Sequence, residues 1–333
     1  MTQSKSPVSI GICSTAHVHT NAYLSLLSEM DDVNLVGVAD ENEPRGRDTA
    51  NGFDMPYCSA DELLTLADGV VICSTNADHR SWIRQCADAG VDVLCEKPLA
   101  PTVEDAENIV RRVEKSDISL GVAMPLRFSE PVARAHRALD RDVIGTVHSI
   151  SGTNRGKMPG GWFVDPDESG GGAVMDHSVH IVDLVQYLLD EEVSEVYCLS
   201  GTRFHDIPVE DVNVLSMELE DGTSFLLDGS WSRPDEWHFW GDATLELVGD
   251  EGVIDVDCFD QTLTYTTTGE SDAKMNSHFW GSNPNTGLIE DFVTAVRHDH
   301  SPMVTPEEGL AAVAVVEAAY ESHESGDPVQ VEY

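Results

Sequence analysis

The sequence predicts an α/β protein in two parts: a doubly wound parallel sheet over residues 1–124, then an α+β domain over residues 125–333 built on a large, open, mainly antiparallel sheet. Three observations predict it. A chain of 333 residues exceeds one comfortable hydrophobic core and suits two. Up to Val122, short continuous apolar runs alternate with amphipathic stretches. Beyond that point the rhythm changes to closely spaced strand-like runs with hairpin turns between them.

Taken in order, Val8–Cys13 reads as a buried strand and Thr20–Met30 as a helix whose apolar side is Tyr23, Leu24, Leu27 and Met30. A strand over Val33–Ala39, a helix from about Asp61 and a strand over Gly69–Cys73 come next. Helix Arg80–Ala89, strand Val91–Cys95, helix Thr102–Lys115 and strand Ile118–Val122 complete the first part. Apolar strands joined by helices require a parallel sheet covered on both faces. Right-handed crossovers then put the ligand crevice at the carboxyl ends of the strands, after Cys13, Ala39, Cys73 and Cys95. In the second part, strands are expected over Thr146–Thr153, Val193–Phe204, Val212–Leu219, Ser224–Trp231, Ala243–Leu247, Gly252–Cys258 and Leu263–Thr268. Helices are expected over Pro131–Leu139, Ala173–Leu189, Gly287–Val296 and Pro306–Ser322.

Composition narrows the function. Sixty acidic residues against 19 basic ones give a formal net charge of -41, which repels nucleic acid and anionic membrane surfaces. Such self-repulsion is screened at molar salt, where the Debye length falls to ~3 Å, so the acid excess reads as a halophile's solvated surface. The seven cysteines are scattered without C-x-x-C spacing and imply neither a disulfide framework nor a zinc knuckle. A polar start, no signal-peptide core and no apolar run of membrane-spanning length give the expectation of a soluble, cytoplasmic protein.

The turn after the first strand reads Gly11-Ile12-Cys13-Ser14-Thr15-Ala16, with Ser14 and Ala16 where a dinucleotide fingerprint has glycines. Small side chains still let backbone N–H groups approach a pyrophosphate. Asp40, at the tip of the second strand, suits the hydroxyls of an adenosine ribose and repels a 2′-phosphate, which mildly favours NAD over NADP; Arg45 and Arg47 nearby blur that preference. Glu96-Lys97-Pro98 follows the fourth strand, and the proline keeps Lys97 extended at the crevice, where an ammonium can stabilise a developing alkoxide. The helix after Gly170-Gly171-Gly172 carries Asp176, His177, His180 and Asp183 among apolar residues on nearly every side. Buried Asp and His need partners or a task, and His suits proton transfer near neutral pH. A purely structural Asp–His pair is the alternative at this point.

Together these segments resemble the Gfo/Idh/MocA family, named for glucose–fructose oxidoreductase and inositol dehydrogenase. The resemblance spans essentially the whole chain. It rests on Ile10-Gly11-Ile12 with Asp40, on VDVLCEKPL (Val91–Leu99), on Arg127-Phe128, on GGGAVMDHSVHIVDL (Gly170–Leu184) and on TPEEGLAAVAVVEAAYES (Thr305–Ser322). Thr75-Asn76 stands where the family usually has Thr-Pro. The resemblance implies a Rossmann domain, an NAD(P) cofactor, a sugar, sugar-acid, polyol or cyclitol substrate, and a homodimer or homotetramer built through the open sheet. It implies Lys97, Asp176 and His180 as the catalytic set, with His180 as general acid/base. Gly11, Ser14, Thr15, Ala16, His17, Asp40, Arg45, Ser74, Thr75, Asn76, His79, Glu96 and Lys97 would face the cofactor. Lys97, Arg127, Trp162, Asp176, His177 and His180 would face the substrate. No metal is expected. Two other readings compete: a non-catalytic sensor of dinucleotide and sugar on the same fold, and a metal-dependent hydrolase barrel suggested by His17-Val18-His19.

Overall fold

The computed structural model describes residues 6–259, 262–267, 274–279, 281 and 283–333. The chain separates into two compact units. The first comprises Met1–Met124, Asp167–Gly170 and Asn285–Val313; the second comprises Pro125–Pro166, Gly171–Pro284 and Ala314–Tyr333. The expected division at residue 124 is thus crossed twice, by residues 167–170 and by residues 285–313, both of which pack with the first unit.

The first unit holds strands β1 (Val8–Cys13), β2 (Val33–Ala39), β3 (Gly69–Ile72), β4 (Asp92–Cys95) and β5 (Leu120–Val122). They form one five-stranded sheet in the order β2-β1-β3-β4-β5, with every pair parallel. β3 is buried along its whole length and β1 at all but one position, as continuous apolar runs require. The connections are helices α1 (Thr20–Ser28), α2 (Glu43–Gly52), α3 (Ala60–Leu66), α4 (His79–Ala89) and α5 (Val103–Val113). Local chemistry starts them: Ser59 and Glu62 form a capping box at α3, and Thr102 accepts the Asp105 N–H at α5. The strand order reverses between β1 and β3, so the crevice lies beside the turn that follows Cys13.

The chain continues through α6 (Glu130–Leu139), β6 (Val147–Thr153), α7 (Pro166–Ser169), α8 (Val179–Leu189), β7 (Val193–Gly201), β8 (Val212–Leu219) and β9 (Ser224–Asp228). There follow β10 (Thr244–Gly249), β11 (Val253–Asp257), β12 (Thr262–Thr267), β13 (Lys274–Phe279), α9 (Pro284–His298), α10 (Pro306–Ser325) and β14 (Val329–Gln330). Seven of these strands make the sheet of the second unit, in the order β11-β10-β6-β9-β8-β7-β14. All its pairs are antiparallel except β6 with β9. β12 and β13 form a separate hairpin, and Thr268, the end of the strand expected there, lies outside the described residues.

Helix α8 is buried through Val179, His180, Ile181, Val182, Asp183, Leu184 and Val185, and it lies against the seven-stranded sheet. Gly152 of β6 marks the close approach: a Cβ there would sit 2.8 Å from Ile181 and 3.3 Å from Phe225. Residues 173–189, expected as one helix, divide into a π-helical turn at Val174–Ser178 and then α8. Glu210 explains the start of this segment. Its carboxylate accepts the N–H groups of Gly172 and Val174 at 3.0 Å, and its backbone carbonyl accepts that of Ala173 at 2.9 Å. These are donors that a helix start leaves unsatisfied, and an anion there is favoured by the peptide dipoles. Gly172 has to be a glycine, because a Cβ would lie 2.1 Å from the Glu210 carbonyl oxygen.

Candidate active site

In the first unit the site begins at the turn after β1. Ser14 has φ +63°, in the left-handed region where a glycine is the easy residue. Its N–H donates to the Ala39 carbonyl at 2.7 Å, and its hydroxyl donates to Glu41 at 2.8 Å. This small residue therefore keeps the backbone shape of the glycine it replaces. Asp40, almost completely buried at the tip of β2, is enclosed by donors. Its carboxylate accepts the Thr15 N–H at 2.8 Å, the Thr15 hydroxyl at 2.5 Å, the Asn42 N–H at 2.6 Å and the Arg45 guanidinium at 2.7 and 3.1 Å. Arg45 also reaches Ser14 and Glu41. Ser14, Thr15, Asp40 and Arg45 thus gather at the ends of β1 and β2, while Gly11 lies within β1 against Leu63.

The ends of β3 and β4 bring the second group. Asn76 is buried and donates to the Ser169 carbonyl at 2.8 Å. His79 lies wholly inside, with Nδ1 3.0 Å from the Pro98 carbonyl and 3.3 Å from that of Leu99. Burial drives its pKa down to about 4, so the ring is neutral at pH 7 and donates from Nδ1. Through Nδ1 His79 thus holds the segment after Lys97 in place.

Glu96 is fully buried. One of its oxygens lies 3.2 Å from His17 Nδ1 and 2.9 Å from His19 Nδ1, while the other accepts the Lys97 N–H at 3.2 Å. Burial on its own pushes this carboxyl's pKa up, but the neighbouring His17 and His19 rings and the Lys97 ammonium outweigh burial and hold it below the usual range. His19 and its carboxylate partner were not paired in reading the sequence, since 77 residues separate them. Lys97 itself is 4% exposed, just beyond β4.

In the second unit the π-helical turn and α8 carry Asp176, His177 and His180, each buried to 7–8% exposure. π-Helical turns inside helices recur at functional sites because they redirect side chains. Trp231, wholly buried, donates its indole N–H to Asp176 Oδ2 at 3.2 Å, and His177 Nε2 lies 3.3 Å from the same oxygen. His177 in turn packs on Gly156, where a Cβ would meet its ring at 2.5 Å, and lies edge-on to Trp240 with ring centres 6.1 Å apart. Trp162 stacks on Phe163 with centres 3.9 Å apart; Phe163 belongs to an apolar cluster with Ala173, Val209 and Trp231, leaving Trp162 half-buried at its edge. Trp231 and Glu210 escaped the sequence reading. Both sit at the margins of strands, where a lone aromatic or acid gives no periodic signal.

Arg127, expected on the substrate side, has a guanidinium that bonds both oxygens of Asp183 at 2.9 and 2.7 Å with its side chain 2% exposed, and it stacks over Tyr187. Its charge is committed to anchoring α8.

The comparisons with known proteins agree with this geometry. Residues 8–124 match the family described as "Oxidoreductase family, NAD-binding Rossmann fold", and residues 132–255 match the "GFO/IDH/MocA C-terminal domain". The chain belongs to the Gfo/Idh/MocA family. It is 25% identical to myo-inositol 2-dehydrogenase of Thermotoga maritima, over 97% of this chain and 98% of that one. It is 26% identical to D-xylose 1-dehydrogenase (NADP(+)) 2 of Haloferax volcanii, over 97% and 99%. Among solved structures, GenD2 from gentamicin A biosynthesis in complex with NAD superposes with a TM-score of 0.90 at 26% identity, covering 99% of this chain and 97% of that one. As a Gfo/Idh/MocA protein the chain is an NAD(P)-binding oxidoreductase. The hydrolase reading fails, since a five-stranded parallel sheet and a seven-stranded mixed sheet are not an eight-fold barrel. The sensor reading likewise gains no support from relatives that are dehydrogenases.

Proposed function

We propose that this chain transfers a hydride between a nicotinamide and a hydroxyl-bearing carbon of a sugar, sugar acid, polyol or cyclitol. The observation that carries the proposal is the buried Asp176–Trp231–His177 constellation with His180 one turn further on, polar groups gathered on a segment whose other residues are mostly apolar. The left-handed Ser14 turn and the Asp40 carboxylate suit a dinucleotide. When bound, that group accepts or gives up the hydride at its nicotinamide ring. The protein's own residues manage the proton. His180 takes the hydroxyl proton during oxidation and returns it during reduction. The Lys97 ammonium hydrogen-bonds the same substrate oxygen and offsets the charge that develops on it. Asp176, held from one side by Trp231, fixes a neighbouring hydroxyl. Trp162 and His177 complete the substrate side, and Thr75, Ser74 and Ala16 the cofactor side.

Asp40 with Glu41 beside it favours NAD, because a 2′-phosphate would meet two carboxylates and a single Arg45. The molecule is proposed to be a homodimer or homotetramer through the outer face of its seven-stranded sheet. In a chain of net charge -41, that face exposes an apolar patch of Leu199 opposite Val214, with Leu226 on the next strand, bordered by Glu195, Glu218 and Glu246. We place it in the cytoplasm of a halophile on the strength of that charge. Among the described residues no helix is long and apolar enough to cross a membrane. The test is a screen of sugars, polyols and cyclitols with NAD and with NADP in molar KCl, following reduced-nicotinamide absorbance. Turnover of at least one such compound, faster with NAD, is expected; no turnover with any of them would sink the proposal.

A further inference from the structure

The first unit contains a side-chain cluster that hydride transfer does not use in full: His17, His19 and Glu96. Two of its members follow β1 and the third follows β4, and each offers one ligand atom within 4.8 Å of the others. A tetrahedral zinc with nitrogen ligands at about 2.0–2.1 Å holds neighbouring ligand atoms roughly 3.3 Å apart. The observed spacings of 3.2 and 2.9 Å between Glu96 Oε1 and the two Nδ1 atoms lie within a few tenths of an ångström of that, and the spacing between the two imidazoles is within 4.8 Å. Two imidazoles with a carboxylate form a donor set suited to zinc, cobalt, nickel or iron(II), not to magnesium or calcium.

The protonation of the cluster points the same way. His17 Nδ1 faces two groups with opposite demands: the His19 N–H, 3.2 Å away, needs a lone pair, and the Glu96 carboxylate needs a proton. No single protonation state of that nitrogen serves both. A divalent cation bound by the two imidazoles and the carboxylate answers the charge of a fully buried glutamate and gives up only the weak amide contact. The Lys97 charge acts against such a cation, which limits its affinity without removing the ligands. His19 is about one-third exposed and supplies the way in.

We propose that His17, His19 and Glu96 form a site for a divalent transition metal in the cofactor-free protein, and that its occupation and dinucleotide binding exclude one another. The exclusion clause rests on the functional reading above, because the carboxyl ends of β1 and β4 are where the nicotinamide half would lie.

The test uses the full-length chain, freed of metal by chelator and of cofactor by dialysis. Cobalt(II) is titrated in while its visible d–d absorption is followed. The expected result is one equivalent per chain with the intense spectrum of a tetrahedral site, together with at least a tenfold loss of affinity in His19→Ala. That position, about one-third exposed, leaves the fold intact, as circular dichroism would verify. A weak octahedral spectrum from scattered surface carboxylates, or an unchanged spectrum in His19→Ala, overturns the site. NAD at 100 times its own dissociation constant should then weaken cobalt binding about 100-fold. Unchanged cobalt affinity at saturating NAD overturns the exclusion. Cobalt binding through His19 in a protein that takes up no dinucleotide would instead sustain the metal site and fail the functional reading.

Discussion

Replacing Asp183 with Asn removes one charge and almost no volume from the centre of the second unit. Asp183 and Arg127 are bonded through both carboxylate oxygens, at 2.7 and 2.9 Å, with side chains 1% and 2% exposed. Breaking a buried pair by neutralising one partner leaves the other charge uncompensated, at a cost of about 3–5 kcal/mol. The exposed pair of Arg47 with Glu43, at the same 2.7 Å, provides the control, since Glu43→Gln should cost less than about 1 kcal/mol. Denaturant unfolding in molar KCl reads both variants; Asp183→Asn should also lower the melting temperature of the second unit by ~6 °C or more. Exchanging both partners, Arg127→Met with Asp183→Leu, should recover much of the loss, because well-packed apolar replacements of buried pairs are often neutral. A cost below about 1 kcal/mol for Asp183→Asn would show that Arg127 finds solvent or another anion, and that the pair does not anchor α8.

Three further outcomes follow from the same coordinates. His79, with its pKa lowered from 6.5 to about 4 by burial, binds fewer protons folded than unfolded; its contribution of roughly 3 kcal/mol is full above pH 6.5 and lost as pH falls through 4. His79→Gln should lose that part of the acid sensitivity in unfolding titrations, and an unaltered pH dependence would contradict the assignment. Trp231→Phe keeps a buried ring but removes the N–H that Asp176 accepts; a tenfold to hundredfold fall in kcat/KM is expected with the fold retained, on the worth of about 1.5–3 kcal/mol for a hydrogen bond to a charged group, and steady-state kinetics with wild-type values would exclude the positioning role. Dialysis from molar to low salt should lower the unfolding midpoint as screening of the -41 charge is lost, whereas a midpoint independent of KCl would refute the halophile reading.

Much of this architecture is legible in the residues alone, for physical reasons. Continuous runs such as Val70-Val71-Ile72 can only be interior parallel strands, and Gly170-Gly171-Gly172 before an all-round apolar segment announces a helix start packed against backbone. Helix α2 was not anticipated, because Glu43–Gly52 carries no apolar stripe and rests instead on its Asn42 cap. Strands expected to reach Phe204 and Trp231 stop at Gly201 and Asp228, where side chains take over the backbone donors: Asp211 accepts the N–H groups of Arg203, Phe204 and His205, and Asn213 accepts that of Gly229. For His79 and Arg127 the structure adds protein partners that no local pattern encodes, the Pro98 carbonyl 19 residues away and Asp183 56 residues away. Trp231, 55 residues from Asp176, is a pairing that no local pattern encodes.

The most direct trial of the account is turnover by Lys97→Ala and His180→Ala, each measured with the best substrate from the screen and each verified as folded by circular dichroism. Loss of at least about 100-fold in kcat is the predicted result for both, the scale of a missing proton-transfer group or of a lost donor to a developing oxyanion. Wild-type rates in either variant would contradict it.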